Sequence, residues 1–204
     1  IDLRGKAVVP GMIDNHAHFQ EEGAYWTLEL RFDGVDTRKQ ALELIKAKAA
    51  ATPNGGWVYN LGGWSPDQFS DDKKPFTRDE LDKVAPNNPV VIYLNRGQIY
   101  LNSAALKIAG ITRDTTTIGR VTIKKDNTGE PDGTITGESG TVARTADMVS
   151  PATQAEKEKL ILETQKEQLA VGLTSIRDLQ LAPDFMRTYY EMWRTGKLLE
   201  RISA

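Results

Sequence analysis

The 204-residue chain contains no cysteine, which excludes disulfide bonds and metal sites with thiolate ligands. Acidic and basic residues nearly balance, at 28 and 26, and they are interspersed, so no basic stripe marks a nucleic-acid or anionic-membrane surface. No apolar run approaches the ~18 residues of a membrane span, and no signal-peptide pattern is visible. We therefore expect no nucleic-acid or membrane partners. The lack of cysteine leaves the compartment open, and a cytoplasmic location is our expectation.

Histidine is also scarce, and both histidines, His16 and His18, fall in one short stretch. If residues 12–18 form a strand, Asp14, His16 and His18 share a face, because side chains alternate along a strand. Two neutral imidazoles at the end of a strand suit zinc or a similar ion, and the Asp14 carboxylate could orient one of them from behind. The alternative is a pair of partly exposed histidines near a turn.

The motif Pro-Gly-x-x-Asp-x-His-x-His at residues 10–18 resembles the first barrel strand of the metal-dependent amidohydrolase superfamily. Residues 1–9 resemble the stretch that leads into that strand. The resemblance implies that the two histidines bind the more buried ion of a one- or two-metal site inside a (β/α)8 barrel.

Local signals predict the helices and strands of the remaining chain. Thr37 and Thr77 begin capping-box patterns, Asn102 is a predicted N-cap, and Ser150-Pro151 predicts the start of a long helix. Strands are predicted at residues 57–64, 89–94, 173–179 and 199–203, and a hairpin at 120–138. In the predicted helix 183–195, we expect Phe185, Met186, Tyr189 and Trp193 to face inward.

From about residue 150, helix, strand, helix and strand follow one another, which indicates parallel βα units. We predict an α/β chain with a partial (β/α)8 TIM-type barrel, first strands only, and an inserted α+β subdomain between the first and second barrel strands. The predicted divisions are a lead-in from a small β domain (1–9), the first barrel strand and following segment (10–52), the inserted subdomain (53–149), and the second βα unit with the start of the third barrel strand (150–204). Because a complete barrel needs ~250 residues, we expect a fragment of a longer protein.

Residues 76–91 and 101–111 narrow the resemblance to amidohydrolase family 3, the branch that includes N-substituted formamide deformylases. The similarity covers nearly the whole chain and corresponds to about the first third of such an enzyme, with residues 172–178 as its second barrel strand. Two departures stand out. Gln98 occupies a position where the family usually has histidine, and Arg177 stands where a histidine often precedes the aspartate.

The candidate site residues come from these motifs. They are His16 and His18 as metal ligands, Asp14 as the orienting carboxylate, Asp178 as a catalytic group at a barrel-strand end, and Trp64, Gln98 and Asn102 as substrate contacts. Trp64 could instead pack against a loop. For Asn102, a role as a helix N-cap is a sufficient explanation.

The resemblance implies hydrolysis of a C–N bond in a small amide or formamide by water activated on a divalent metal, with zinc as the expected ion. It also implies further histidines and an aspartate, the general base, beyond Ala204. The alternative is a non-catalytic binding module that retains the fold, which Gln98 and Arg177 would favour. Homo-oligomer formation is left open. Because two histidines are fewer than the three protein ligands usual for catalytic zinc, we expect this chain alone to be inactive and to bind zinc weakly.

Overall fold

A computed structural model describes residues 2–19, 25, 28–95, 97–138, 153–179 and 181–203. The strands are β1 (Met12–Ala17), β2 (Val58–Asn60), β3 (Val90–Asn95), β4 (Gln98–Leu101), β5 (Thr117–Ile118), β6 (Val121–Lys125), β7 (Pro131–Gly137), β8 (Leu173–Asp178) and β9 (Arg201–Ser203). The helices are α1 (Arg38–Ala51), α2 (Arg78–Val84), α3 (Ser103–Ile108), α4 (Gln154–Ala170) and α5 (Pro183–Arg194), with a 3₁₀ turn at Pro66–Gln68. The chain divides into two compact units, Ile1–Leu28 with Pro151–Ala204, and Glu29–Ser150.

The first unit contains a parallel sheet in the order β1-β8-β9. β8 pairs in parallel with both β1 and β9. The pairing of β8 with β1 confirms the parallel arrangement predicted for residues 173–179 and the strand that carries the histidines. Helices α4 and α5 supply the apolar residues that cover one face, and the buried core includes Phe19, Ile161, Ile176, Tyr189 and Met192. A strand–helix–strand order with parallel strands is the βα pattern expected from the sequence.

Helix α5 turns a different face inward from the one predicted. Tyr189 and Met192 are buried, but Met186 and Trp193 are 55% and 67% exposed, so the inward placement of these two was wrong. At 3.6 residues per turn, the chain positions of Phe185, Tyr189 and Met192 form one stripe. Met186 and Trp193 belong to the neighbouring stripe, and the aromatic residues alone did not distinguish the two.

Helix α4 begins later than the predicted Ser150-Pro151 start, which lies outside the described residues. Thr153 is its N-cap, and its hydroxyl accepts a hydrogen bond from the backbone N–H of Glu156. The Glu156 carboxylate in turn accepts from the Thr153 backbone N–H, which completes a capping box. The local chemistry at Thr153 therefore sets the start of the helix.

The second unit contains a six-stranded sheet in the order β2-β3-β4-β7-β6-β5. β2 and β3 are parallel, and the other pairs are antiparallel. Residues 90–92 of β3 are fully buried, as expected of a continuous apolar run. β2 is shorter than predicted because Gly62 and Gly63 adopt left-handed backbone conformations, with φ of 115° and 75°, that end the extended segment.

The predicted capping boxes at Thr37 and Thr77 and the Asn102 cap are confirmed at the starts of α1, α2 and α3. Helix α1 belongs to the second unit, which begins at Glu29. The reason is packing, since Ala41 and Ile45 of α1 join the apolar cluster of this unit. None of the helices in the described parts of the chain is long and apolar enough to cross a membrane.

Candidate metal centre

The amino end of β1 lies unusually close to β8. The backbone N–H of Met12 donates to the Gly172 carbonyl at 2.9 Å, and the Thr174 hydroxyl donates to the Met12 carbonyl at 3.3 Å. A Cβ on Gly11 would lie only 2.3 Å from Thr174 Oγ1. A side chain at position 11 would clash with Thr174, so glycine is required where the chain enters β1.

β1 does not alternate regularly over its length. Asp14 pairs with Ile176 and Ala17 pairs with Asp178, so three steps along β1 match two along β8. Such an extra residue is a β-bulge, which redirects the side chains around it. The Asp14 carboxylate accepts a hydrogen bond from the backbone N–H of His16 at 2.9 Å within this segment. Asp14 thus bonds the backbone at the bulge, and the predicted common face of Asp14, His16 and His18 does not follow from alternation alone.

The two imidazoles lie together at the carboxyl end of β1. Their ring centroids are 5.6 Å apart, in an edge-to-face arrangement with an interplanar angle of 72°. His16 is exposed near the end of the strand, and His18 is half-buried just beyond it. The structure therefore brings the two predicted ligands into contact, and their binding of a metal stays a prediction.

The donor chemistry of the pair fits a borderline divalent ion. His18 Nδ1 is buried and has no hydrogen-bond partner among the described residues. Two neighbouring neutral imidazoles are suitable ligands for zinc and related ions. Within the described segments, no group of three or more histidine, aspartate or glutamate side chains is placed to hold a metal ion. The pair can therefore supply two nitrogen ligands to a divalent ion.

Asp178, the predicted catalytic group, ends β8 with its side chain towards helix α5. It is 2% exposed, and its carboxylate accepts a hydrogen bond from the Tyr189 hydroxyl at 3.3 Å. Its strand partner Ala17 is also buried. These contacts give Asp178 a structural role in the layer between sheet and helices, and its catalytic role remains a prediction.

Trp64 lies in the second unit, inside a cluster of aromatic rings. Its indole N–H donates to the Tyr93 carbonyl at 2.6 Å, and its ring centroid lies 5.7 Å from that of Phe69 and 5.1 Å from that of Phe76. The side chain is buried. This environment agrees with the packing alternative for Trp64, and no described contact tests a role in substrate binding.

Gln98 and Asn102 also lie in the second unit, and both make internal hydrogen bonds. Gln98 Nε2 donates to the Tyr100 hydroxyl at 2.8 Å. Asn102 Oδ1 accepts from the backbone N–H groups of Val90 and Ala105, at 2.9 and 3.0 Å, and its Nδ2 donates to the Asn88 carbonyl at 2.9 Å. Asn102 is thus a buried junction between β3 and α3, and its substrate-binding role is untested.

Glu200 is a buried acid that the sequence did not reveal. It is 6% exposed, and neither carboxylate oxygen has a partner among the described residues. Burial raises its pKa from the ordinary 4.5 to about 7. The backbone N–H of the preceding Leu199 donates to Gln165 Oε1 at 3.1 Å, which places a buried amide beside it. Glu200 precedes β9, at the amino end of the parallel sheet, whereas the histidines lie at the carboxyl end. A glutamate next to an arginine at a strand start looks solvent-exposed in sequence, so no local signal could have found it.

Comparison with known proteins places the chain in a family. A family model described as "Amidohydrolase family" matches residues 1–203. N-substituted formamide deformylase from Arthrobacter pascens is 30% identical over 205 residues, covering 97% of this chain and 37% of that protein. Protein LONG AFTER FAR-RED 3 from Arabidopsis thaliana is 29% identical over 184 residues, covering 88% of this chain and 30% of that protein. The chain spans about a third of the length of these relatives.

A solved structure shares the fold. The crystal structure of an uncharacterised metal-dependent hydrolase from Pyrococcus horikoshii OT3 matches with a TM-score of 0.61 and 22% identity, covering 99% of this chain and 37% of that one. With the family match extending over residues 1–203 and the histidine pair ending the first strand of a parallel sheet, the chain belongs to the amidohydrolase family.

Proposed function

We propose that this chain is part of a metal-dependent hydrolase that cleaves C–N bonds in small amide- or formamide-type substrates. The contact between His16 and His18 at the carboxyl end of β1 carries the proposal, because it pairs two nitrogen ligands where catalytic groups gather in parallel βα folds. Family membership supports the reaction class, and a relative named as an N-substituted formamide deformylase supports the bond type.

His16 and His18 would hold a divalent ion, with zinc as the expected metal. When bound, such an ion polarises a substrate carbonyl and lowers the pKa of its coordinated water towards ~7. The Asp14 carboxylate holds the backbone of His16 in the bulge and so limits where that imidazole can point. The third protein ligand and the general base would come from residues outside this chain.

The barrel interpretation is part of the same proposal. β1, β8 and β9 would be the first three strands of a (β/α)8 barrel, and the unit Glu29–Ser150 would be inserted between the first and second. The order β1-β8-β9, with all strands parallel, supports it, and so does the shared fold with the Pyrococcus hydrolase. In this arrangement, the active site would lie at the carboxyl ends of the barrel strands.

The proposal is tested with the full-length protein that contains this chain. Metal content and hydrolysis of a panel of amides and N-substituted formamides are measured for the wild type, His16→Ala and His18→Ala. Each histidine variant should lose bound metal and nearly all activity, whereas Lys166→Ala, on the exposed surface of α4, should change neither. The 204-residue chain alone should show no turnover.

Two results would count against the proposal. Retention of metal and activity by both histidine variants would remove the metal-ligand assignment. A wild-type protein that binds amides without stoichiometric metal and without turnover would instead support the binding-module alternative.

A further inference from the structure

His18 is held by the backbone on one side and by a buried aromatic contact on the other. The carbonyl of the preceding Ala17 accepts a hydrogen bond from the Leu179 N–H at 3.2 Å, just past the end of β8. The following residue, Phe19, is fully buried, and its ring stacks on that of Tyr189 with centroids 5.9 Å apart and an interplanar angle of 25°. The chain on both sides of His18 is therefore attached to the second βα unit.

The usual device for orienting a metal-binding imidazole is a hydrogen bond to the ring nitrogen that does not bind the metal. Among the described residues, His18 Nδ1 has no such partner. The nearby Asp14 carboxylate bonds the backbone N–H of His16. The packing of its neighbours in the chain is therefore the described feature that can orient the His18 ring.

Tyr189 is itself fixed in place at this contact. Its hydroxyl donates to the buried Asp178 carboxylate at 3.3 Å, and its ring centroid lies 6.3 Å from that of Phe185 on the preceding turn of α5. It belongs to the same buried core as Phe19 and Met192. Because the Tyr189 ring is held at its face and at its hydroxyl, it gives the Phe19 ring a fixed surface on which to stack.

We propose that Tyr189 is a positioning residue that sets the orientation of the His18 imidazole through the ring of Phe19. The inference rests on the proposed function, because it assigns Tyr189 to the metal-ligand pair. The ring makes the contact with Phe19, whereas the hydroxyl makes the contact with Asp178. Removing the ring should therefore disturb His18 far more than removing the hydroxyl.

The first test needs no metal. In the 204-residue chain, the two histidines give two imidazole Cε1–H signals in a ¹H–¹³C NMR spectrum, and His16→Ala assigns them. Tyr189→Leu should move the His18 signal towards its position in the unfolded chain, while Tyr189→Phe should leave it near the wild-type position. Tyr190→Leu is the matched control, since Tyr190 is the next residue on α5 and is 56% exposed. Circular dichroism confirms that each variant is folded.

The second test measures Co²⁺ affinity and the visible absorption spectrum of the Co²⁺-bound full-length protein, which supplies the remaining ligands. Tyr189→Leu should weaken binding by about tenfold or more, the usual effect of losing support behind a ligand. The Co²⁺ affinity of Tyr189→Phe and Tyr190→Leu should stay within about twofold of the wild type, because both keep the ring that contacts Phe19. A general loss of stability would not alter the affinity of the folded protein. If Tyr189→Leu does not fold, Phe19→Leu breaks the same stacking from the other side, and the same two effects are expected.

The outcomes separate the two proposals. A folded Tyr189→Leu chain with an unchanged His18 signal, or with wild-type Co²⁺ affinity, overturns the positioning role and leaves the metal site intact. A full-length protein that binds no Co²⁺, while Tyr189→Leu still shifts the His18 signal, supports the positioning of His18 and refutes its role as a metal ligand.

Discussion

Replacing Glu200 by glutamine should stabilise the chain at pH 8 and have much less effect at pH 5. Burial favours the neutral carboxyl, so the folded chain keeps this proton up to about pH 7, whereas the unfolded chain releases it near 4.5. Between these values the folded state binds more protons, and its stability falls as the pH rises. The contribution of Glu200 is fully present below pH 4.5 and lost as the pH passes through about 7. Glutamine has no such dependence.

The magnitude follows from the same two values. At about 1.36 kcal/mol per pKa unit, a rise from 4.5 to about 7 corresponds to at most about 3 kcal/mol. Because relaxation and water entry lower the cost of a buried charge, we expect roughly 1–2 kcal/mol in the free energy of unfolding. The gain of Glu200→Gln over the wild type should therefore be larger at pH 8 than at pH 5 by this amount.

Urea denaturation at pH 5 and pH 8 measures the effect directly. Glu163→Gln is the control, because Glu163 is a partly exposed acid on α4 whose ion pair to Lys159, at 3.8 Å, is of the weak i,i+4 type. Loss of such a pair changes stability by only about 0.3–0.5 kcal/mol. A Glu200→Gln gain that is equal at both pH values would refute the argument, since it would show that the carboxyl of the folded chain titrates as it does in the unfolded chain.

Three further changes test the packing and the caps by denaturation. Gly11→Ala should cost about 1–3 kcal/mol, because its Cβ would lie 2.3 Å from Thr174 Oγ1; a loss below about 0.5 kcal/mol would contradict the close approach. Arg38→Met should raise the Glu80 pKa from about 2 towards 4.5, because it removes the guanidinium that donates hydrogen bonds to that carboxylate. Stability measured at pH 7 should fall, and the loss of stability that the wild type shows between pH 4.5 and 2 should become smaller. Asn102→Ala should cost about 2 kcal/mol or more, since it removes a helix cap and leaves buried groups unpaired; a helix α3 of unchanged stability would argue against this junction.

Local chemistry explains why much of the fold was predictable. A capping box such as that at Thr37 is complete within four residues, so the sequence contains all the information that sets the helix start. The buried strand β3 was predictable for a similar reason, because a continuous apolar run has few alternatives to burial. The parallel pairing of β1 with β8 followed from the order of elements, since a helix before the second strand provides the crossover that parallel strands need.

Tertiary contacts explain what the sequence did not predict. The inward face of α5 depends on which of two neighbouring stripes meets the sheet, and both stripes contain aromatic residues. Glu200 is buried next to Leu199, whose backbone N–H donates to Gln165 on helix α4, an element distant in the chain. The bulge in β1 is defined only by its pairing with β8, so the spacing of Asp14 and His16 could suggest a shared face without determining it.

The candidate site shows the same division between local and distant causes. The spacing of His16 and His18 was enough to predict that their imidazoles would lie close together, and they do. What holds them is far away in the chain, since the hydrogen bond from Thr174 to Met12 links residues 162 positions apart, and Tyr189 stacks on Phe19 from helix α5. A two-residue motif can therefore suggest a pair of ligands, whereas our positioning proposal makes the second βα unit responsible for how they point. For this reason, we expect substitutions in β8 and α5 that keep the chain folded to alter metal affinity even though they leave both histidines in place.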